Sequence, residues 1–239
     1  MNTSIKVFDN TDQLAEEVAL LLKKLNTKPG KSPIHVALSG GSTPKAIFKY
    51  LTRQYGTSLV NSRFHFWWGD DRCVPPLHDE SNYKWANTLW LAPVSVPHEN
   101  IHRIMGENDP NDEAVRYADE IAKHLPIENN LPVFDFVLLG MGDDGHTASI
   151  FPNQMHLLTS DNLCEVATHP DSGQKRITFT GKLINNSKLI AFISTGEVKA
   201  QKVFEVVKMK NTNLPATHIQ PLNGELVWLL DKAAASNAI

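Results

Sequence analysis

Ile34-His35-Val36-Ala37-Leu38-Ser39-Gly40-Gly41-Ser42-Thr43-Pro44 is an apolar run that breaks on a glycine pair and leads into a segment of helical character, Pro44 to Tyr50. The run has the length of a strand, and the proline stands in the first helical turn, where its missing N–H costs nothing. Strand, tight turn and helix form the basic unit of an α/β fold, and the same rhythm extends both ways along the chain. Upstream, Ile5 to Phe8 reads as a strand. Thr11 to Leu25 reads as an amphipathic helix with Leu14, Val18, Leu21, Leu22 and Leu25 on one stripe and Glu16, Glu17, Lys23 and Lys24 mostly off it. Downstream, the spacing predicts strands at Phe64 to Trp68, Phe134 to Leu139, Arg176 to Thr180, Leu189 to Ile193 and Leu226 to Leu230. Helices are predicted over Ser81 to Leu91, Asp112 to Leu125 and Glu197 to Lys208. The alternation predicts an α/β fold with a mainly parallel sheet, helices on both faces and right-handed crossovers. No repeat, low-complexity tract or linker interrupts the pattern, so residues 1–239 are read as one domain.

Composition narrows the function classes. With 41% hydrophobic and 21% charged residues the chain has a globular composition, and 23 basic against 26 acidic side chains give a net charge of −3. That balance lacks the electrostatic footprint of a nucleic-acid binder, while a few cations in a pocket still suffice for a small anionic substrate. Cys73 and Cys164, the two cysteines, form no metal-ligand or disulfide pattern, and free thiols suit a reducing compartment. The first residues lack a signal-peptide pattern, and no apolar run approaches the about 18 residues of a membrane span, so a cytoplasmic location with no membrane partner is expected.

In open parallel sheets ligands gather beyond the carboxyl ends of the strands, and four polar clusters lie there. Ser39, Gly40, Gly41, Ser42 and Thr43 can present backbone N–H groups, hydroxyls and a helix N-terminus to a phosphate; a tight turn with a helix cap would use the same residues. No P-loop lysine follows, which disfavours a nucleotide triphosphatase. Asp70, Asp71 and Arg72, after the strand ending at Trp68, suit substrate hydroxyls and developing negative charge, or simply a solvated turn. His146, on the glycine-rich stretch Gly140 to Gly145 and beyond, is a candidate general base, and Asp144 can fold back to orient its ring. The same stretch matches a dinucleotide-binding GxGxxG pattern with Glu165 at the ribose-acid spacing, but Asp143 and Asp144 would oppose a pyrophosphate and Pro152 interrupts the required helix. Finally, Arg176 and Lys199 stand at strand edges, where they can converge on a phosphate from opposite sides.

Taken in order, Ser39 to Pro44, Gly69 to Pro76 followed by Ser81-Asn82-Tyr83, Gly140 to Pro152, Lys175-Arg176 and Thr195 to Lys199 resemble the 6-phosphogluconolactonase family, of the same superfamily as glucosamine-6-phosphate deaminase. The resemblance implies a Rossmann-like fold and hydrolysis of a phosphorylated sugar lactone in the pentose phosphate pathway, with no cofactor and no metal. By motif it implies that Ser39, Gly40, Gly41, Ser42, Thr43, Arg176 and Lys199 hold the phosphate. His146 would then activate water, held by Asp144, while Asp70 and Arg72 face the sugar. Asp71 and Asp143 stand where the family commonly has glutamate and receive no catalytic role. The deaminase alternative calls for a carboxylate five residues beyond the histidine, where this chain has Phe151, and a tyrosine in place of Arg72. A non-catalytic sugar-phosphate sensor is the third reading, against which the retained Asp144 and His146 argue.

Overall fold

The computed structural model describes residues 2–27, 30 and 32–238. The first half of the chain forms β1 (Asn2–Phe8), α1 (Thr11–Asn26), β2 (Ile34–Leu38), α2 (Ser42–Tyr55), β3 (Phe64–Trp68), β4 (Asp70–Arg72), α3 (Asn82–Ala86) and α4 (Pro110–His124). There follow β5 (Ile127–Glu128), β6 (Leu131–Pro132), β7 (Phe136–Leu139), β8 (Cys164–Thr168), β9 (Lys175–Phe179), α5 (Gly181–Asn185), β10 (Leu189–Ser194), α6 (Ala200–Val207), β11 (Glu225–Asp231) and α7 (Lys232–Ala235). Six strands form a wholly parallel sheet in the order β1-β11-β10-β7-β2-β3, flanked by helices in the Rossmann-like manner. β2 and β7 are buried along their whole lengths, which is why they read as continuous apolar runs instead of alternating ones.

The strand order places the site. From β2 the chain moves outward to β3, whereas β7, β10 and β11 build up on the other side of β2, so the winding reverses between β2 and β7. Loops leaving the carboxyl ends of two such strands diverge and open a crevice. Val36 pairs with Phe136 and Ala37 with Val137, and this register brings Ser39 and Gly140 out of the sheet side by side.

α1 shows how sequence becomes packing. Asn10 caps it by accepting the Gln13 N–H, Lys23 and Lys24 lie in the last turn against the negative end of the dipole, and Leu14, Val18, Leu22 and Leu25 are buried. Truncating a core side chain such as Leu22 to alanine would cost about 2–5 kcal/mol.

Three elements depart from the sequence reading. The segment expected as one helix from Ser81 to Leu91 has Ser81 as its cap, accepting the Lys84 N–H, then α3, and then widens into a π turn over Asn87–Leu91. The helix expected from Glu197 begins with a 3₁₀ turn, Glu197–Lys199, before α6. The strand expected at Arg176 to Thr180 is β9, which lies outside the parallel sheet in an antiparallel one of order β4-β9-β8. Gly69 makes the transfer: its N–H donates to Leu38 O at 3.0 Å in the main sheet, while its carbonyl accepts the Phe179 N–H at 2.8 Å in the small one. The small sheet is thereby fastened to the carboxyl edge of the large one.

Candidate active site

At the winding reversal lies a cavity of about 180 Å³ lined by Ser39, Gly40, Gly41, Asp70, Arg72, Asn82, Gly140, Met141, Gly142, His146, Ala148 and Arg176. It adjoins a smaller compartment of about 110 Å³ that shares Gly40, Gly41, Gly140 and Met141 and adds Ser42, Thr43, Thr195 and Lys199. Ser39 to Thr43, Asp70, Arg72, His146, Arg176 and Lys199 therefore line these two compartments, with Asp144 as the partner of His146.

The histidine is held tightly. Asp144 Oδ1 accepts the His146 backbone N–H at 3.0 Å and lies 2.6 Å from Nδ1. This contact assigns the ring proton to Nδ1 in the neutral imidazole and leaves Nε2 as the free basic nitrogen. Gly142 makes room for the ring, because a Cβ there would sit 2.1 Å from Nδ1. The Phe151 ring backs the imidazole at 4.7 Å between centroids. Burial raises the Asp144 pKa, but the hydrogen bond and charge of His146 outweigh it and bring the carboxyl down to about 2. No hydroxyl among the described residues is hydrogen-bonded to His146, and Ser149, the nearest serine in sequence, is fully buried with its hydroxyl donated to Asp70 Oδ2 at 2.7 Å.

Facing the histidine are two arginines. β4 and β9 pair with Arg72 directly opposite Arg176, an arrangement of like charges that destabilises a sheet by itself. Both Nε atoms are buried without a partner among the described residues. Arg72 Nη1 donates to Glu80 O at 2.5 Å, and Arg176 lies over the Phe151 ring, its guanidinium 5.5 Å from the ring centre. Burial lowers the Arg176 pKa, with Asp70 acting in the opposite sense. Two guanidiniums with buried, unused Nε donors are suited to an anion.

On the cradle side, Gly41 occupies the N-cap of α2 with φ 107°, and no side chain caps the helix, so its first N–H groups remain available. Thr43 and Thr195 hydroxyls lie 2.7 Å apart. Lys199 lines the smaller compartment, its Nζ donating to Met141 O at 2.8 Å and to Asp143 at 2.5 Å. The glycines Gly40 and Gly41 stand between the two cations.

A family profile described as "Glucosamine-6-phosphate isomerases/6-phosphogluconolactonase" matches residues 9–228. The chain belongs to this family. A relative from Haemophilus influenzae named 6-phosphogluconolactonase is 45% identical over 226 residues, 93% of each chain. The crystal structure of the devB protein superposes with a TM-score of 0.94 at 40% identity, covering 99% of this chain and 100% of that one. A crystal structure of 6-phosphogluconolactonase from Thermotoga maritima gives 0.83 at 28% identity over 97% and 100%.

Against the rest of this family site, the dinucleotide reading does not hold. The turn after Gly145 closes on a Thr147–Ile150 bridge and leads to a 3₁₀ segment, and Glu165 is engaged by Ser160 and Asn162 on β8. Asp71 is an anchor: Oδ1 accepts the N–H of Arg72 and Asn82, and Oδ2 accepts the N–H of Tyr83 and the Ser81 hydroxyl. Burial pushes its pKa up to about 6 against the pull of those N–H groups. Burial, followed by the charges of Asp71 and Glu113, pushes the Cys73 thiol up to about 11, which keeps it from acting as a thiolate. Residues to which the sequence assigns no role include Ala148, a cavity residue in the left-handed region at φ 47°, and Ser149, which bridges Asp70 and Arg176. Neither carries a signal readable in one dimension. No helix among the described residues is long and apolar enough to cross a membrane.

Proposed function

We propose that the chain hydrolyses 6-phospho-D-glucono-1,5-lactone to 6-phosphogluconate as a cytoplasmic, single-domain enzyme of the pentose phosphate pathway, with His146 as general base on water. The observation that carries this reading is an Asp144-held imidazole lining one cavity with two arginines whose buried Nε donors have no partner among the described residues.

The lactone's phosphate sits at the junction of the two compartments, on the uncapped N-terminus of α2, with Ser39, Gly40, Gly41, Ser42 and Thr43 around it and Arg176 and Lys199 on either side. Nε2 of His146 takes a proton from water as the oxygen adds to the lactone carbonyl carbon. Arg72 opposes the negative charge that grows on the carbonyl oxygen, in a site where the donors are already desolvated. Collapse breaks the bond to the ring oxygen, which receives the proton from the imidazolium, and the product leaves as a free acid with its hydroxyl restored. Asp144 stabilises the transient imidazolium and Asp70 faces the sugar hydroxyls.

The test is turnover of the lactone against glucosamine-6-phosphate, with and without a chelator. Lactone hydrolysis unaffected by the chelator is expected. Conversion of glucosamine-6-phosphate alone would assign the deaminase reaction, and binding without turnover of either would make the protein a sensor. Arg176→Ala and Lys199→Ala should weaken binding of the phosphorylated lactone far more than of its dephosphorylated counterpart, by about 1.5–3 kcal/mol for a lost charge-assisted contact. Equal losses on both compounds would remove these side chains from the phosphate.

A further inference from the structure

Asn82 stands in the cavity wall with its backbone N–H and its amide nitrogen both anchored. Its backbone N–H donates to Asp71 Oδ1 at 2.7 Å, and its side-chain Nδ2 donates to Asp70 O at 2.9 Å. The amide cannot be turned over, because the opposite assignment would set Oδ1 against the Asp70 carbonyl. Oδ1 is thus fixed on the other side, directly above Gly40, where a Cβ would lie 1.7 Å from it. The residue is only 4% exposed, yet no protein donor among the described residues reaches Oδ1 and the atom is not sealed from solvent. The surrounding wall is rich in donors, from Arg72, Arg176 and the turn around Gly40 and Gly41. An acceptor held rigidly among donors, with no protein partner of its own, selects a group that the arginines cannot serve, namely a hydroxyl.

We propose that Asn82 Oδ1 accepts a hydrogen bond from one hydroxyl of the sugar chain, between the phosphate and the carbonyl end, and is a specificity-determining residue of this site. Gly40 is required beneath it, since any side chain there would displace the amide. The inference rests on the cavity being the sugar-phosphate site, and it assigns the side chain that distinguishes a polyhydroxylated ligand from an equally charged one lacking that hydroxyl.

Equilibrium binding separates this from the hydrolysis reading, because it needs no turnover. Titration of wild type with 6-phosphogluconate and with its 2-, 3- and 4-deoxy analogues should show one analogue binding about 2- to 10-fold more weakly, the range for a single neutral hydrogen bond. Asn82→Ala should weaken 6-phosphogluconate by a similar factor, leave inorganic phosphate unchanged, and show no further loss on that one analogue. Equal weakening by Asn82→Ala of all four sugar acids would mean a merely structural role and overturn the proposal. So would wild type binding all three analogues as tightly as the parent, an arm that holds even if the alanine variant fails to fold. Loss of lactone turnover with these binding patterns intact would instead count against the hydrolysis reading alone.

Discussion

His146 illustrates how much chemistry a single contact decides. With Asp144 on Nδ1 the ring presents its other nitrogen to the cavity, and in the proposed mechanism the carboxylate opposes the positive charge created on proton transfer. His146→Ala is expected to lower kcat by roughly 10²- to 10⁴-fold while 6-phosphogluconate still binds, as measured by steady-state rates and calorimetry. Asp144→Asn should act in the same direction but less, because an amide oxygen can still accept from Nδ1 while lacking the charge. The Asp144 pKa of about 2 lies below its ordinary 3.8, so its stabilising contribution is complete above about pH 4 and is lost as pH falls through about 2. At 41% exposure that contribution is screened by solvent, so an acid transition driven by this residue alone would be small. A covalent acyl-enzyme trapped during turnover would contradict the water mechanism outright.

At the level of elements, the site depends on a strap, β4 through α3, fastened by one buried carboxylate. Asp71 offers four acceptor positions to four donors, and Asp71→Asn would turn an N–H₂ toward the Tyr83 N–H and the Ser81 hydroxyl. The cost of leaving such buried donors unpaired is about 1–3 kcal/mol, and denaturant unfolding at pH 7 should show it. The wild-type group also carries a pH signature: its folded pKa of about 6 exceeds 3.8, so the native state holds the proton longer and stability declines as pH rises from about 4 to about 6. Unfolding titrations should lose that slope in the asparagine variant; an unchanged slope would place the effect elsewhere. This strap also marks where the sequence stops being legible. Period and burial announced the strands of the parallel sheet and α1, because each writes its own pattern of apolar residues. Whether Arg176 to Thr180 joins the large sheet or a small antiparallel one is a question of partners, decided by the exchange at Gly69, and an apolar alternation is the same in either case. The π turn at Asn87–Leu91 likewise depends on what it packs against. Among site residues, the glycine turns and the Asp144–His146 pair were visible as local motifs, whereas the opposition of Arg72 and Arg176, 104 positions apart in the numbering, exists only through strand pairing.

For the whole molecule, a net charge of −3 still leaves two arginines together in the wall of one cavity. Arg72 and Arg176 are cross-strand neighbours in the small sheet with unused buried Nε donors, two costs that a bound anionic ligand would relieve. The site is therefore a place where binding and fold stability oppose each other. Arg72→Met removes the like charge and one buried orphan donor, worth about 1–3 kcal/mol, while losing one hydrogen bond to Glu80 O worth about 0.5–1.5 kcal/mol. The variant without ligand should melt at the wild-type temperature or a few degrees higher, since 1 kcal/mol corresponds to about 2–4 °C in a chain of this size. In wild type, 6-phosphogluconate at 100 times its Kd should add about 2.7 kcal/mol of stability through mass action. At the same ligand concentration the variant should gain much less, since the guanidinium proposed to meet the carbonyl end of the ligand is gone. Thermal melts of both proteins, with and without the sugar acid, measure the two effects separately. A variant that melts several degrees below wild type without ligand would show that Arg72 is held for the fold, and an undiminished ligand shift would show that Arg72 does not contact the sugar acid.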